Sequence, residues 1–255
     1  MTVLSVNLNK IAVLRNARDG ARPSVVAAAR TVLAAGCKGI TVHPRPDQRH
    51  IRTHDVTDLA ALLADHPEVE FNIEGNPFAP ANAGGYPGFD HFIASTRPAQ
   101  ATLVPDDDNQ LTSDHGWDLA RERPDLMDKI RLYQSHGARV SLFMDPDPAQ
   151  IEAAKAHGAD RIELYTGPFA ETVWQHGAQS AATEASYERY ASAARFAVSI
   201  GLGVNAGHDL DQENLPIFCR IKEIDEMSIG HALISDALET GLYETVRKYL
   251  ALIET

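Results

Sequence analysis

Gly39-Ile-Thr-Val-His43-Pro-Arg45-Pro-Asp-Gln-Arg49-His50 is the stretch whose reading decides the fold. Gly39 to Val42 reads as a short, fully buried strand, with β-branched residues and no polar alternation. A histidine stands where it ends, and the loop beyond holds two arginines and a second histidine among prolines. An apolar strand that stops abruptly in titratable residues builds a site on a rigid edge. The question for the rest of the chain is whether that arrangement recurs.

It does. Val3 to Asn7 is a strand, followed by a loop carrying Asn9, Lys10, Arg15, Asn16 and Arg18. Ser24 can cap a helix through about Ala35. After the opening strand, Asp55 starts a helix to about Ala64, and Val69 to Ile73 is a third strand, ending at Glu74. The Gly- and Pro-rich segment Gly75 to Gly88 is expected as an extended loop before a short helix around Asp90 to Ser95. Ala101 to Val104 is a fourth strand, running into Asp106, Asp107 and Asp108, with Thr112 and Ser113 behind. A helix around Asp125 to His136 precedes a fifth strand, Arg139 to Met144. A helix from Pro148 to about His157 precedes a sixth, Arg161 to Tyr165, which ends in Thr166 and Gly167. A long helix, Glu184 to Ile200, leads to a very short seventh strand, Gly203 to Asn205, and then Ala206-Gly-His208-Asp209. An eighth strand around Glu223 to Ile229 ends in Gly230-His231, and a final helix runs from about Ala232 to Ile253.

Strand alternating with helix implies a parallel sheet covered by helices. The 255 residues show no composition break, so the expectation is one (β/α)8 TIM barrel domain over 1–255, with extra helices. A doubly wound open sheet is the rival, but it would bring a Gly-rich dinucleotide turn after its first strand. The turn here is Asn-Leu-Asn-Lys. No P-loop is present either.

Composition narrows the partners. With 44% hydrophobic and 23% charged residues the chain is an ordinary globular sequence. No apolar run reaches the ~20 residues of a membrane span, and no signal-peptide pattern opens it. Cys37 and Cys219 have no metal-type spacing, and a reduced, cytoplasmic setting is expected. A net charge of −12 disfavours nucleic acid and anionic membrane. An anion would need a local basic cluster, for which Arg15, Arg18, Arg22, Arg45 and Arg49 are the candidates.

In a barrel of this kind the site lies at the carboxyl ends of the strands. Those ends hold Asn7; His43 with Arg45; Glu74; Asp106 with Thr112; Asp145; Thr166; Asn205 with His208; and Gly230 with His231. Any one of these could be an ordinary core or loop residue, but three histidines and a glutamate on one face are hard to obtain by packing alone. Gly230-His231 at a helix start offers backbone N–H groups and a helix dipole to a phosphate. Arginines beyond the first two strands could hold a second phosphate. The acidic run reads as a solvated loop or a cap.

At these residues the chain resembles the PdxJ family of pyridoxine 5′-phosphate synthases over essentially its whole length. The matching segments are Val-Asn7, Ile-Ala-Val-Leu-Arg-Asn-Ala-Arg18, Gly-Ile-Thr-Val-His43-Pro-Arg45, Arg-His50-Ile, Asn-Ile-Glu74, Leu-Val-Pro, Val-Asn-Ala-Gly-His208 and Ile-Gly230-His231-Ala. In this order they are highly specific. The resemblance implies a barrel assembled as a homo-octamer, a tetramer of dimers. It implies condensation of 1-deoxy-D-xylulose 5-phosphate with 3-amino-2-oxopropyl phosphate, with release of phosphate and water and no metal or organic cofactor. It makes His43 and Glu74 general bases and His208 a proton donor. Asn7, Arg18, Asp209, Gly230 and His231 would hold the amino-ketone phosphate, and Arg45, His50 and Thr112 the pentulose phosphate. The chain departs from the common pattern at Asn9-Lys10, at Tyr165, where many members have histidine, and at Asp209, where glycine is common. Lys10 leaves a phosphosugar aldolase as an alternative, the acidic run a metal-dependent epimerase, and a non-catalytic phosphosugar-binding protein is the reading from another class.

Overall fold

A computed structural model describes residues 2–18, 20–107 and 110–254. Its eight strands are β1 (Val3–Asn7), β2 (Gly39–Val42), β3 (Glu70–Gly75), β4 (Gln100–Leu103), β5 (Arg139–Met144), β6 (Arg161–Tyr165), β7 (Gly203–Gly207) and β8 (Glu226–Ile229). They pair in parallel, each with its neighbour in sequence, and β8 returns to β1 to close the barrel. The expected (β/α)8 architecture is therefore present.

The helices are α1 (Asn9–Asn16), α2 (Val25–Ala34), α3 (Thr53–Leu63), α4 (Phe89–Thr96), α5 (Pro124–Ser135), α6 (Pro148–Ala156), α7 (Gly167–His176), α8 (Ala181–Ser199), α9 (Leu215–Phe218), α10 (His231–Thr240) and α11 (Leu242–Ile253). Ser24 caps α2 by accepting the Ala27 N–H at 3.2 Å, and Asp147 caps α6 through Ala149 at 2.8 Å. Asp55 is not the first residue of its helix; its carboxylate reaches back to the Arg52 N–H at 2.8 Å. No helix among the described residues is long and apolar enough to cross a membrane.

Three expectations need correction. The segment after β1 is a helix, not a loop, because Leu8, Ile11, Ala12 and Arg15 recur at helical spacing and are all buried. Gly167, expected at the end of the sixth strand, instead opens α7 together with Pro168, since proline suits a first helical turn. The final helix is broken at Gly241, whose φ of +83° no ordinary helical residue adopts.

The largest difference is inside the barrel. Leu4, Val6, Ile40, Val42, Ile73, Leu142, Leu164, Val204 and Met227 are buried beneath the helices, so the hydrophobic core is the layer between sheet and helices. The alternate positions are polar and turn inward. Ser5 bonds to Thr41 at 2.7 Å, Asn72 donates to Thr41 at 3.3 Å and Thr102 to Asn72 at 3.1 Å. Lower down, Gln100 of β4 bonds to Glu226 of β8 and receives the Asn205 amide of β7 at 3.1 Å. β4 pairs with neither β7 nor β8, so the bonds cross the lumen. β2 thus alternates after all: Thr41 faces in, Ile40 and Val42 face out, and all are buried.

Candidate active site

Each strand delivers its last inward residue to one rim. His43 and Glu74 stand at the ends of adjacent strands, with His43 Nδ1 3.9 Å from Glu74 Oε2 and both side chains nearly enclosed. Burial, reinforced by the charges of Glu226 and Asp106, pushes the Glu74 carboxyl well above the carboxylate range. Burial, and then the positive charge of Arg45, drives the His43 imidazole well below its usual value. Both shifts disfavour charge, so the surroundings favour a protonated acid beside a neutral imidazole over an ion pair. Asn7 donates to Glu74 Oε2 at 3.3 Å.

The strand-one departure has a structural position. Asn9 accepts the His43 backbone N–H at 2.9 Å, while its own N–H goes to Asn7 at 3.0 Å. It ties the end of β1 to the end of β2. Lys10, in the first turn of α1, is exposed.

The proposed basic cluster is divided into pairs. Arg15 is buried against Asp55 and also donates to the His50 carbonyl at 3.0 Å. Arg45 is buried against Asp106 at 2.5 Å, and Ser113 donates to the same carboxylate at 2.7 Å. Asp106 is therefore not part of a solvated loop; Asp107 is exposed, and Asp108 lies outside the described residues. Arg49 pairs with Asp47 at 2.7 Å, and Arg22 is exposed. Arg45 still borders a cavity of about 170 Å³ with Pro46, Asp47, Arg49 and Asn82. The Gly75–Gly88 segment closes over that side: Asn82 donates to Pro46 O at 2.8 Å, and Thr53 to Gly85 O at 2.8 Å. His50 is buried beside His43, ring centroids 6.3 Å apart. Its Nδ1 accepts the Ile51 N–H at 2.9 Å. Burial and then Arg45 lower it to about 3, so the neutral ring offers an Nε2–H to an acceptor.

Across the mouth, β7 ends in two non-glycine residues at positive φ, His208 (90°) and Asp209 (58°). Thr166 holds the turn by bonding to the Gly207 and His208 carbonyls at 2.6 and 2.5 Å. His208 Nδ1 lies 2.8 Å from Asp209 Oδ2, and Nε2 lies 2.9 Å from Thr112 Oγ1. Thr112, Asp209 and His208 therefore meet, although 96 residues separate the first from the last. Gly230 precedes α10 and lies so close to Asn7 that an added Cβ would stand 3.0 Å from the Asn7 Cβ. His231 is exposed at the helix start. Arg18 is exposed beyond α1.

Glu163 was not singled out from the sequence, yet it points into the middle of the barrel, beneath the mouth, and its Oε2 has no hydrogen-bond partner among the described residues. Burial and then the charge of Glu74 hold its carboxyl well above the usual range. The signal was period two: Glu163 alternates with Ile162 and Leu164, as Asn72 does with Phe71 and Ile73. Below it, burial raises Glu226 from 4.5 to about 7. Between those values the unfolded chain loses this proton and the folded chain keeps it, so stability present below pH ~4.5 is lost as pH rises through ~7, at about 1.4 kcal/mol per unit. Glu226→Gln is expected to flatten the decline of unfolding free energy between pH 5 and 7 in urea titrations. An unchanged slope would contradict the assignment.

Comparison with known proteins places the chain in a family. Residues 4–255 match the family described as pyridoxal phosphate biosynthesis protein PdxJ. Pyridoxine 5′-phosphate synthase of Xanthomonas campestris pv. campestris (strain B100) is 57% identical over 253 residues, covering 99% of this chain and 96% of its own. The enzyme of the same name from Xylella fastidiosa (strain 9a5c) is 53% identical, covering 100% and 95%. Among solved structures, orotidine 5′-monophosphate decarboxylase of Methanocaldococcus jannaschii superposes with a TM-score of 0.60 at 12% identity over the whole of both chains, a likeness of fold alone.

Proposed function

The chain belongs to the PdxJ family and is an enzyme of vitamin B6 biosynthesis acting on small substrates; from that premise we propose that it condenses 1-deoxy-D-xylulose 5-phosphate with 3-amino-2-oxopropyl phosphate, closing the pyridine ring without a cofactor, as a ring-closing transferase. The observation that carries this reading is the His43–Glu74 contact, a neutral base 3.9 Å from a carboxyl whose proton affinity is raised by burial.

Imine formation, enolisation and successive dehydrations move protons at several positions of one bound molecule. A buried carboxyl titrating closer to neutrality can give a proton in one step and take it back in another. Neutral His43 is ready to accept a proton as the first base, and Glu74 acts as a base once its own proton has been passed on. His208, on the opposite side of the mouth, donates a proton to a departing hydroxyl. Gly230 and the N-terminus of α10, with Asn7 and His231, suit the amino-ketone phosphate, since backbone N–H groups and the helix dipole favour an anion. Arg18 and the Asp209 main chain complete that subsite. Arg45, His50 and Thr112 suit the pentulose phosphate, and Arg45 must share its guanidinium with Asp106 to do so.

Two reduced thiols, Cys37 and Cys219, are compatible with a cytoplasmic setting. Family membership supports the octamer, which light scattering tests. Purified protein given both phosphorylated substrates is expected to release inorganic phosphate and to form a pyridine chromophore. Neither appearing would overturn the proposal.

A further inference from the structure

Two positions where the chain departs from the common family pattern, Tyr165 and Asp209, touch the same side chain. The Tyr165 ring lies edge-on to the His208 ring, centroids 5.2 Å apart, and Asp209 Oδ2 lies 2.8 Å from His208 Nδ1. The imidazole is thus held on three sides, with Thr112 at Nε2. Both members of the dyad are only partly buried, at 23% and 28% exposure, so the ring can reach a ligand in the mouth. A cavity of about 410 Å³ opens beside them, bordered by Tyr165, Pro168, Glu171, Trp174 and Asp209.

We propose that Asp209 is a positioning residue for the reaction, its carboxylate fixing the orientation and the protonation site of His208, so that His208 delivers its proton from Nε2. This rests on the reading of His208 as proton donor. A carboxylate on one imidazole nitrogen keeps a hydrogen on that nitrogen and stabilises the imidazolium. The proton given to substrate therefore leaves from Nε2, where Thr112 marks the acceptor direction. The neutral ring left behind carries its hydrogen on Nδ1, toward Asp209.

The charge of Asp209 makes its side chain a poor phosphate ligand, because two anions would be brought together. It makes a good partner for a cation. The hydrogen bond from His208 lowers its carboxyl below the ordinary value, with further help from the charges of His231 and Lys10. Lys10, a third departure, thus acts on the same carboxylate from across the mouth. At the same corner burial, and then the charges of Asp209, Asp114, Asp145 and Glu171, raise the Tyr165 hydroxyl above its ordinary value.

The backbone isolates the carboxylate experimentally. Asp209 sits at a φ of 58°, which asparagine also tolerates. Asp209→Asn therefore removes the charge and keeps the turn. In protein labelled with 15N-histidine, with the resonance assigned by its loss in His208→Gln, neutral His208 is expected to carry hydrogen on Nδ1, and Asp209→Asn is expected to shift both ring nitrogens. In the synthase assay kcat is expected to fall at least about tenfold, with the KM for 3-amino-2-oxopropyl phosphate changed less than about twofold. Asp209→Glu, which keeps the carboxylate, is expected to recover part of kcat. Unmoved ring nitrogens in Asp209→Asn would overturn the proposal. So would a raised KM with kcat preserved, which would make Asp209 a phosphate ligand. If wild-type protein shows no synthase activity, the assigned reaction falls, while the nitrogen resonances still report whether Asp209 controls the imidazole.

Discussion

Glu74→Gln is expected to lower turnover at least ~100-fold, about 2.7 kcal/mol of transition-state stabilisation, with no loss of folded protein. The reason for the second half is that burial favours the protonated form of Glu74. Gln has the shape of that neutral acid, and its oxygen can keep the 3.3 Å bond from Asn7. Gln therefore keeps the form that burial favours; what disappears is the ability to release and retake a proton. His43→Asn is expected to have an effect of the same size, because Asn9 grips the His43 backbone N–H rather than its ring, so the strand end stays in place. Steady-state kinetics beside thermal melting separates the two quantities. Wild-type rates in both variants would refute the assigned roles, and unfolded protein would refute the account of the packing.

The second large effect is on stability. Arg15 and Asp55 form an ion pair with both side chains only 5% exposed. Asp55→Ala leaves the Arg15 guanidinium charged and enclosed, and a cost of about 3–5 kcal/mol is expected. The pair also supports the site, since Arg15 and Asn16 both donate to the His50 carbonyl, at 3.0 and 2.8 Å. Urea denaturation measures the first consequence, and a raised KM for the pentulose phosphate the second. The double replacement Arg15→Met, Asp55→Asn is expected to recover most of the stability, because it removes both charges, nearly keeps the volume and leaves an acceptor for the Arg52 N–H. A loss under about 1 kcal/mol for Asp55→Ala would show that the pair is not desolvated.

Much of the fold and of the site is legible in the sequence. Strand ends were readable because an apolar run stopping at a titratable residue is a local signal, and in a barrel the local signals share one rim. That is how His43, Glu74 and His208 emerged together. What was not legible depended on register and on partners far away in the chain. Asp106 reads as one of a row of exposed acids until Arg45, 61 residues earlier, is brought against it. Arg15 reads as an anion ligand until Asp55 covers it. The helix α1 was hidden because Asn9, Lys10 and Asn16 suggest a turn, while the buried stripe Leu8, Ile11, Ala12 and Arg15 lies between them. Glu163 was hidden because attention to strand ends passes over strand middles, where its alternation with Ile162 and Leu164 was visible.

The polar lumen has a consequence for how the enzyme can be tuned. At the floor, Glu226 feels Glu70, Arg161 and Arg139, which sit around the amino-terminal rim, and Glu226 in turn adds to the proton affinity of Glu74 at the mouth. No atom needs to move for this influence to pass, because the medium between the two ends is a low-dielectric column of hydrogen-bonded side chains. The acidity at which the chemistry runs is therefore written partly on the face of the barrel that no substrate touches. Exchanging charges on that remote rim offers a dial on the working pH that leaves the shape of the catalytic end intact.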